Sequence, residues 1–173
     1  YRYFVDKQHT LARARGKIPV AWEEVYAHFT TKLPQQTVIH VWNNRVLLGR
    51  ATSDGFRALL SAGWYLDSQT TWEQMHANDP DSGLSDAQKK LVLGGGACMW
   101  SELVDASNIL MTIWPRTAAV AERLWSPSQE HHASLRDRFA RFRCLLTARG
   151  IEKGTTNPPQ RGMPQGPNGC GAE

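Results

Sequence analysis

The chain has 173 residues, with 20 Lys and Arg against 16 Asp and Glu, for a formal net charge of +4. That is an ordinary composition for a globular protein and room for one domain. No apolar run approaches the ~20 residues of a membrane span. The clustered Arg136, Arg138, Arg141, Arg143 and Arg149 come without an aromatic platform or recognised motif, so they read as a solvated helix face, not a nucleic-acid site.

Residues 1–15 carry Tyr1, Phe4, Val5 and Leu11 near helical spacing, and Gly16 is placed to stop that helix. The opening Tyr1-Arg2-Tyr3-Phe4 lacks an initiator Met and a basic-then-apolar leader, as expected of a chain that starts inside something longer. Ile18 to Trp22 reads as a short buried strand, and residues 23–35 as a connection with some helix. Thr37 to Trp42 is a second strand, rich in β-branched residues. Residues 44–54 form a short helix or turn, and Ala58 to Ala62 is a third strand. Residues 68–90 are polar and loop-like with some helix, and Leu91 to Ala97 is a fourth strand. Asn108 to Met111 suggests a short turn. Trp114-Pro115 opens a stronger helix with Pro in its first turn. Ser128 is placed to cap a last helix, in which Leu135, Phe139, Phe142 and Leu146 share one face and which Gly150 ends. From Thr155 onward the Pro/Gly-rich composition reads as an extended tail.

Strand and helix therefore alternate four times, and the strands are short and continuously apolar, as in a parallel sheet covered on both faces. Each strand runs out into an aromatic: Trp22, Trp42, Trp64-Tyr65 and Trp100. The carboxyl ends of parallel strands carry the ligand site in α/β folds. Indoles delivered to that rim would build an aromatic box; the alternative is that they are core. Gly94 to Glu102 couples an uncrowded backbone to an indole and a carboxylate, the pair a sugar ring needs for its CH face and its hydroxyls. Asp67, two residues after Tyr65, and Glu102, two after Trp100, are candidate hydroxyl binders; either could instead be an ordinary loop carboxylate or helix cap. Glu24 reads as a structural partner and His40 as packing. His131-His132 reads as solvated. None of the six histidines pairs at metal spacing, Ser101 lacks a nucleophile-elbow context, and there is neither a P-loop nor a dinucleotide fingerprint. No metal or cofactor is expected.

Of the three cysteines, Cys98 reads as a buried free thiol. Cys170 is an odd residue for a loose tail unless it ties the tail down, which suggests a Cys144–Cys170 disulfide and an oxidising compartment; the alternative is two free thiols.

Gly94-Gly95-x-Ala97-Cys98-x-Trp100-x-Glu102-x-Val104-Asp105, then Trp114-Pro115-Arg116-x-Ala118-Ala119-Val120-Ala121-Glu122-Arg123-Leu124-Trp125-Ser126, resembles the C-terminal part of the family 20 glycoside hydrolases, the β-N-acetylhexosaminidases of lysosomal type. Upstream, Val20-Ala21-Trp22-Glu23-Glu24-Val25, Val41-Trp42 and Leu60-Ser61-Ala62-x-Trp64-Tyr65-Leu66-Asp67 follow the family's order, and Arg143-Cys144 and Arg149-Gly150-Ile151 continue the likeness.

The resemblance implies an α/β fold: the C-terminal half, strands five to eight, of a (β/α)8 TIM barrel over residues 1–151, with a tail at 152–173. It implies that Trp22 and Trp42 wall the N-acetyl group, that Tyr65 bonds and positions the acetamide oxygen, that Asp67 and Glu102 bind hydroxyls, and that Trp100 lies under the ring. Trp64 joins that substrate-binding set. The substrate's own acetamide attacks the anomeric carbon, so no enzyme nucleophile is needed. The family's adjacent Asp-Glu catalytic pair is absent, since no Asp-Glu dipeptide occurs; it is expected upstream, in an N-terminal half. Ser68 stands where a basic residue can favour anionic substrates, so neutral N-acetylhexosamine-terminated glycans are implied. Gly96 departs from a Glu of the lysosomal enzymes. A homo- or hetero-dimer and a lysosomal or secreted location are also implied. The competing reading is a non-catalytic carbohydrate-binding fragment.

Overall fold

The computed structural model describes residues 1–29, 33–126 and 135–151. The chain divides into two compact units. The first joins Tyr1–Ala62 to Pro80–Gly96, and the second joins Gly63–Asp79 to the chain from Ala97 onward.

The first unit is a four-stranded parallel sheet in sequential order: β1 (Val20–Trp22), β2 (Val38–Val41), β3 (Ala58–Leu60) and β4 (Val92–Gly95). Helices α1 (Arg2–Ala14), α2 (Glu23–Phe29) and α3 (Val46–Ser53) belong to the same unit. The expected parallel α/β alternation is present, with each strand two or three residues shorter than the apolar runs suggested. Gly16, at φ 67, lets the chain leave α1 in the left-handed region that other residues avoid. Val5, Ala21 and Val25 form a buried cluster joined by Phe29 and Leu33. Helix α3 buries Leu47, Leu48, Ala51 and Thr52, a spacing that keeps one face inward.

The two faces of the sheet differ. Register places Ala21, Ile39, Val41, Ala58 and Leu60 on one side, where each is 5 % exposed or less. The other side carries Val20, Trp22, Val38, His40, Leu59 and Leu93, of which Val38, on the inner strand β2, is buried. On that side Val20 is 57 %, Trp22 45 % and Leu93 51 % exposed. Coverage on both faces therefore fails at β1 and β4. The inner strands β2 and β3 are largely buried, whereas the edge strands present apolar side chains to solvent.

Residues 68–90 hold more helix than expected. Helix α4 (Trp72–Ala77) begins with a capping box between Thr71 and Gln74, and α5 (Asp86–Lys89) with one between Ser85 and Gln88. In the first unit, Gln88 also donates to the Gly49 carbonyl at 2.9 Å and to Ser53 Oγ at 2.9 Å, tying α5 to α3.

In the second unit, the expected turn near Asn108 is helix α6 (Ile109–Ile113). Pro115 directly precedes α7 (Arg116–Trp125), and α8 (Leu135–Ala148) follows. Trp72 stacks on Phe139 at 4.6 Å between ring centroids, in a cluster with Ala119 and Leu135. Leu135, Phe139 and Leu146 are buried as their spacing required; Phe142 is half-buried. Arg123 donates to the His76 carbonyl and faces Asp79 at 4.0 Å, which fastens α7 to α4. The arginine face is only partly solvated: Arg136, Arg141 and Arg149 are exposed, Arg138 pairs with Glu122, and Arg143 is half-buried. Cys98 is half-buried, not buried. Ser128, His131, His132, the tail and Cys170 lie outside the described residues, and with Cys170 the expected Cys144–Cys170 disulfide. Among the described residues no helix is long and apolar enough to cross a membrane.

Candidate carbohydrate site

The expected site residues fall into two groups, one in each unit. In the first unit, Trp22 closes β1 and Trp42 directly follows β2. Strand register sets Trp22 beside His40, and the rings stack at 4.5 Å between centroids with 23° between planes. His40 Nε2 lies 2.7 Å from Oγ of the fully buried Ser61. Burial lowers the His40 pKa from its ordinary value, which favours the neutral imidazole. Trp42 donates its indole N–H to Glu24 Oε1 at 2.7 Å, the structural role expected of Glu24.

Glu23, only 5 % exposed, was not anticipated. Its carboxylate accepts the backbone N–H groups of Trp42 at 2.9 Å, Asn43 at 3.0 Å and Asn44 at 3.1 Å. Three consecutive N–H groups converging on one acceptor form a small anion-binding concavity, and a charged acceptor makes each bond stronger than a neutral one. The turn that carries Trp42 is thus fastened by an internal carboxylate.

In the second unit, Tyr65 and Cys98 form a parallel bridge, with Leu66 N–H donating to the Cys98 carbonyl at 2.8 Å and Cys98 N–H to the Trp64 carbonyl at 3.0 Å. This lays the Tyr65–Asp67 segment beside the segment leading to Trp100. The Trp100 N–H points at Asp67 Oδ1 at 3.5 Å. Tyr65 and Asp67 are half-buried, and Trp100 is 50 % exposed. Glu102 is exposed, in a loop tied by Asn108, whose Oδ1 accepts from Asp105 N–H at 2.8 Å and whose Nδ2 donates to the Leu103 carbonyl at 3.0 Å.

Trp64 must be reassigned. It is fully buried, and its indole N–H donates to the Met75 carbonyl at 2.8 Å. With its ring enclosed and its one donor committed, it braces the segment beneath Tyr65 and has no surface left for a sugar. The preceding Gly63, at φ 86, makes that turn; a Cβ there would meet Asn78 Nδ2 at 2.7 Å.

Arg116 was also not anticipated. It is 3 % exposed, and its guanidinium donates to the carbonyls of Leu66, Ser68 (3.1 Å), Thr70 (2.9 Å) and Thr112 (3.1 Å). Burial lowers its pKa from the ordinary value, and the Asp67 carboxylate opposes that. Ser68 adds a bond from Oγ to the Tyr65 carbonyl at 2.6 Å. One buried cation therefore sets the path of the loop on which Asp67 sits. Among the described residues no cluster of three or more His, Cys, Asp or Glu could hold a metal ion.

An exposed indole with a carboxylate two residues on, Trp100 and Glu102, suits a pyranose, which offers CH groups on a face and hydroxyls at its rim. The model of glycosyl hydrolase family 20, catalytic domain, matches residues 1–128. The chain belongs to that family. The family 20 chain is 40% identical over 180 residues to "Beta-hexosaminidase 3" of Arabidopsis thaliana, covering 100% of this chain and 34% of that protein. It is 36% identical over 157 residues to "Beta-hexosaminidase subunit beta" of Homo sapiens, covering 86% and 28%. Among solved structures, a chitobiase of Flavobacterium johnsoniae superposes with TM-score 0.76 at 31% identity, covering 86% of this chain and 24% of that one. The chain thus spans about a third of the length of the curated relatives it matches. Membership bears out the resemblance read from the Gly94–Glu102 and Trp114–Ser126 stretches, and with it a glycoside hydrolase lineage.

Proposed function

We propose that this chain is the C-terminal half of the catalytic (β/α)8 barrel of a β-N-acetylhexosaminidase, contributing strands five to eight over residues 1–151 and followed by a tail at 152–173. The enzyme removes terminal non-reducing N-acetylglucosamine or N-acetylgalactosamine by substrate-assisted, retaining catalysis. In this reading Trp22 and Trp42 flank the N-acetyl group. Tyr65 donates to the acetamide oxygen and orients it for attack on the anomeric carbon. Asp67 and Glu102 accept from sugar hydroxyls, and Trp100 stacks under the ring. The general acid comes from an Asp-Glu pair in an N-terminal half, the first partner of this chain. The observation that carries the reading is that Trp22 and Trp42 stand at the carboxyl ends of adjacent parallel strands of a family 20 chain, where parallel α/β folds place their ligands.

The exposed Val20, Trp22 and Leu93 on one face of the sheet support the missing half. An open parallel sheet with solvated apolar side chains at both edges is what half of a closed barrel would leave. The relative named a subunit supports a homo- or hetero-dimer. A Cys144–Cys170 disulfide and a lysosomal or secreted location complete the proposal.

The test is hydrolysis of a chromogenic N-acetyl-β-glucosaminide by this chain alone and mixed with the N-terminal half of the same enzyme. Activity only in the mixture is expected. Activity from the chain alone would overturn the placement of the acid and make Glu102 the first replacement. Sugar binding with no hydrolysis in either sample would leave a carbohydrate-binding fragment.

A further inference from the structure

Trp22 poses a mechanical problem. Its indole is 45 % exposed at the end of an edge strand, yet a wall of a binding site must keep one orientation. A half-exposed tryptophan on a three-residue strand samples several rotamers unless something holds it. The cross-strand neighbour supplies the hold. His40 lies in register with Trp22, and its ring lies nearly parallel to the indole at 4.5 Å. His40 is in turn fixed from the far side, because Nε2 is 2.7 Å from Ser61 Oγ. Ser61 has no exposed surface, and its N–H donates to the Val41 carbonyl at 2.7 Å, so it is anchored to β2 through the backbone. Indole, imidazole and hydroxyl thus form one row, with its open end at Trp22 and its closed end at a buried serine.

We propose that His40, anchored by Ser61, is the positioning residue that sets the orientation of the Trp22 indole and so the size of acyl group the site admits. This rests on the reading of Trp22 as a wall of the N-acetyl site. His40 need not touch the sugar. A flat ring of about its size can back the indole at stacking distance, and the bond at its outer edge sharpens the angle at which it does so. An aliphatic side chain would let the indole swing outward and widen the space for the acyl group. Stacking of this kind is worth a few-fold to about tenfold in an equilibrium, which sets the scale of the effect.

The test uses the complete enzyme that contains this chain, with chromogenic N-acetyl- and N-propionyl-β-glucosaminides as the probes. Steady-state kcat and KM are measured for the parent, Trp22→Ala, His40→Ala, His40→Phe and Ser61→Ala. His40→Ala is expected to raise KM for the N-acetyl substrate about fivefold and to shrink the preference in kcat/KM for N-acetyl over N-propionyl by a similar factor. His40→Phe, which keeps a ring but loses the Ser61 bond, is expected to recover most of the preference. Ser61→Ala, which keeps both rings, is expected to lose less of it than His40→Ala does. An unchanged acyl preference in His40→Ala, with Trp22→Ala altered, would overturn the inference and leave the assignment of Trp22 intact. So would an equal fall in kcat/KM on both substrates, which is what a general packing defect would produce. An unchanged preference in Trp22→Ala would overturn the assignment of Trp22 itself. If His40→Ala does not fold, Ser61→Ala decides: a partial loss of the N-acetyl preference supports the inference, and a preference equal to the parent's overturns it.

Discussion

The turn carrying Trp42 and the loop carrying Asp67 solve the same problem with opposite charges. Each must hold irregular backbone still beside a candidate ligand group. The turn after β2 points three N–H groups inward, and the carboxylate of Glu23 receives them. The loop at Leu66–Thr70 points three carbonyls inward, and the guanidinium of Arg116 supplies the donors. Local backbone polarity chose the sign of the buried charge. A carboxylate has only acceptors and a guanidinium only donors, so neither could serve in the other's place. A buried charge without a counter-ion is costly. Here the partial charges of oriented peptide groups stand in for the counter-ion, with Asp67 assisting Arg116.

The largest test of that comparison is Arg116→Met, which fills the volume and removes every donor. Three loop carbonyls lose their partner, and stability in urea is expected to fall by about 3–4 kcal/mol. Arg116→Lys keeps the charge but not the fork. It is expected to lose about half as much stability and, on the proposed role of Asp67, to weaken binding of N-acetylglucosamine, followed by tryptophan fluorescence, because the loop bearing Asp67 loosens. If Lys matches Arg in both measurements, charge alone matters and the fork geometry does not.

Glu23→Ala comes next, at about 2–3 kcal/mol, since three N–H groups at one turn lose their acceptor. Glu23→Gln retains an acceptor oxygen and is expected to lose about 1–2 kcal/mol. The comparison breaks if Glu23→Gln is as stable as the parent, because the charge would then contribute nothing. Glu24→Gln keeps an acceptor for the Trp42 indole and is expected to change stability by less than about 1 kcal/mol, read in the same urea titration.

The smallest effect appears only in alkali. Tyr26 is 2 % exposed and donates to Asp54 at 2.7 Å. Burial first, and then that bond, push its pKa up to about 12. A folded value above the unfolded one means the neutral phenol contributes stability that is fully present below about pH 10 and is lost as the pH rises toward 12. Ultraviolet titration of the four tyrosines should show one ionising last, and Tyr26→Phe should remove the slope of stability over that window.

Much of the fold was legible in the residues. Val38-Ile39-His40-Val41 is β-branched enough to declare a strand, and Leu135, Phe139 and Leu146 sit at a period only a helix can bury. The capping boxes at Thr71–Gln74 and Ser85–Gln88 went unread, and the two helices they start were concealed by the polar composition of 68–90. The candidate site was legible only as a set of candidates. Strand ends offer Trp22, Trp42, Trp64 and Trp100 alike, and Trp64 is core, because strand-end position does not say which way an indole turns.

The sequence by itself determined the order of strands and helices, the family, and the aromatic and acidic residues that are candidates for a site. These rest on local periodicity and on motifs that are contiguous in the chain. Tertiary structure alone decided what holds those residues. Glu23 sits in the first turn of a helix, where an acidic residue already suits the dipole and so signals nothing further. Arg116 sits in the first turn of its own helix, where a cation opposes the dipole; that mismatch and its place in the Trp114-Pro115-Arg116 motif marked the residue without saying what it holds. Their partners lie about 20 and 50 residues away. His40 backs Trp22 only because parallel pairing sets them side by side. Which peptide groups are left to be satisfied, and where, exists only once the backbone has folded.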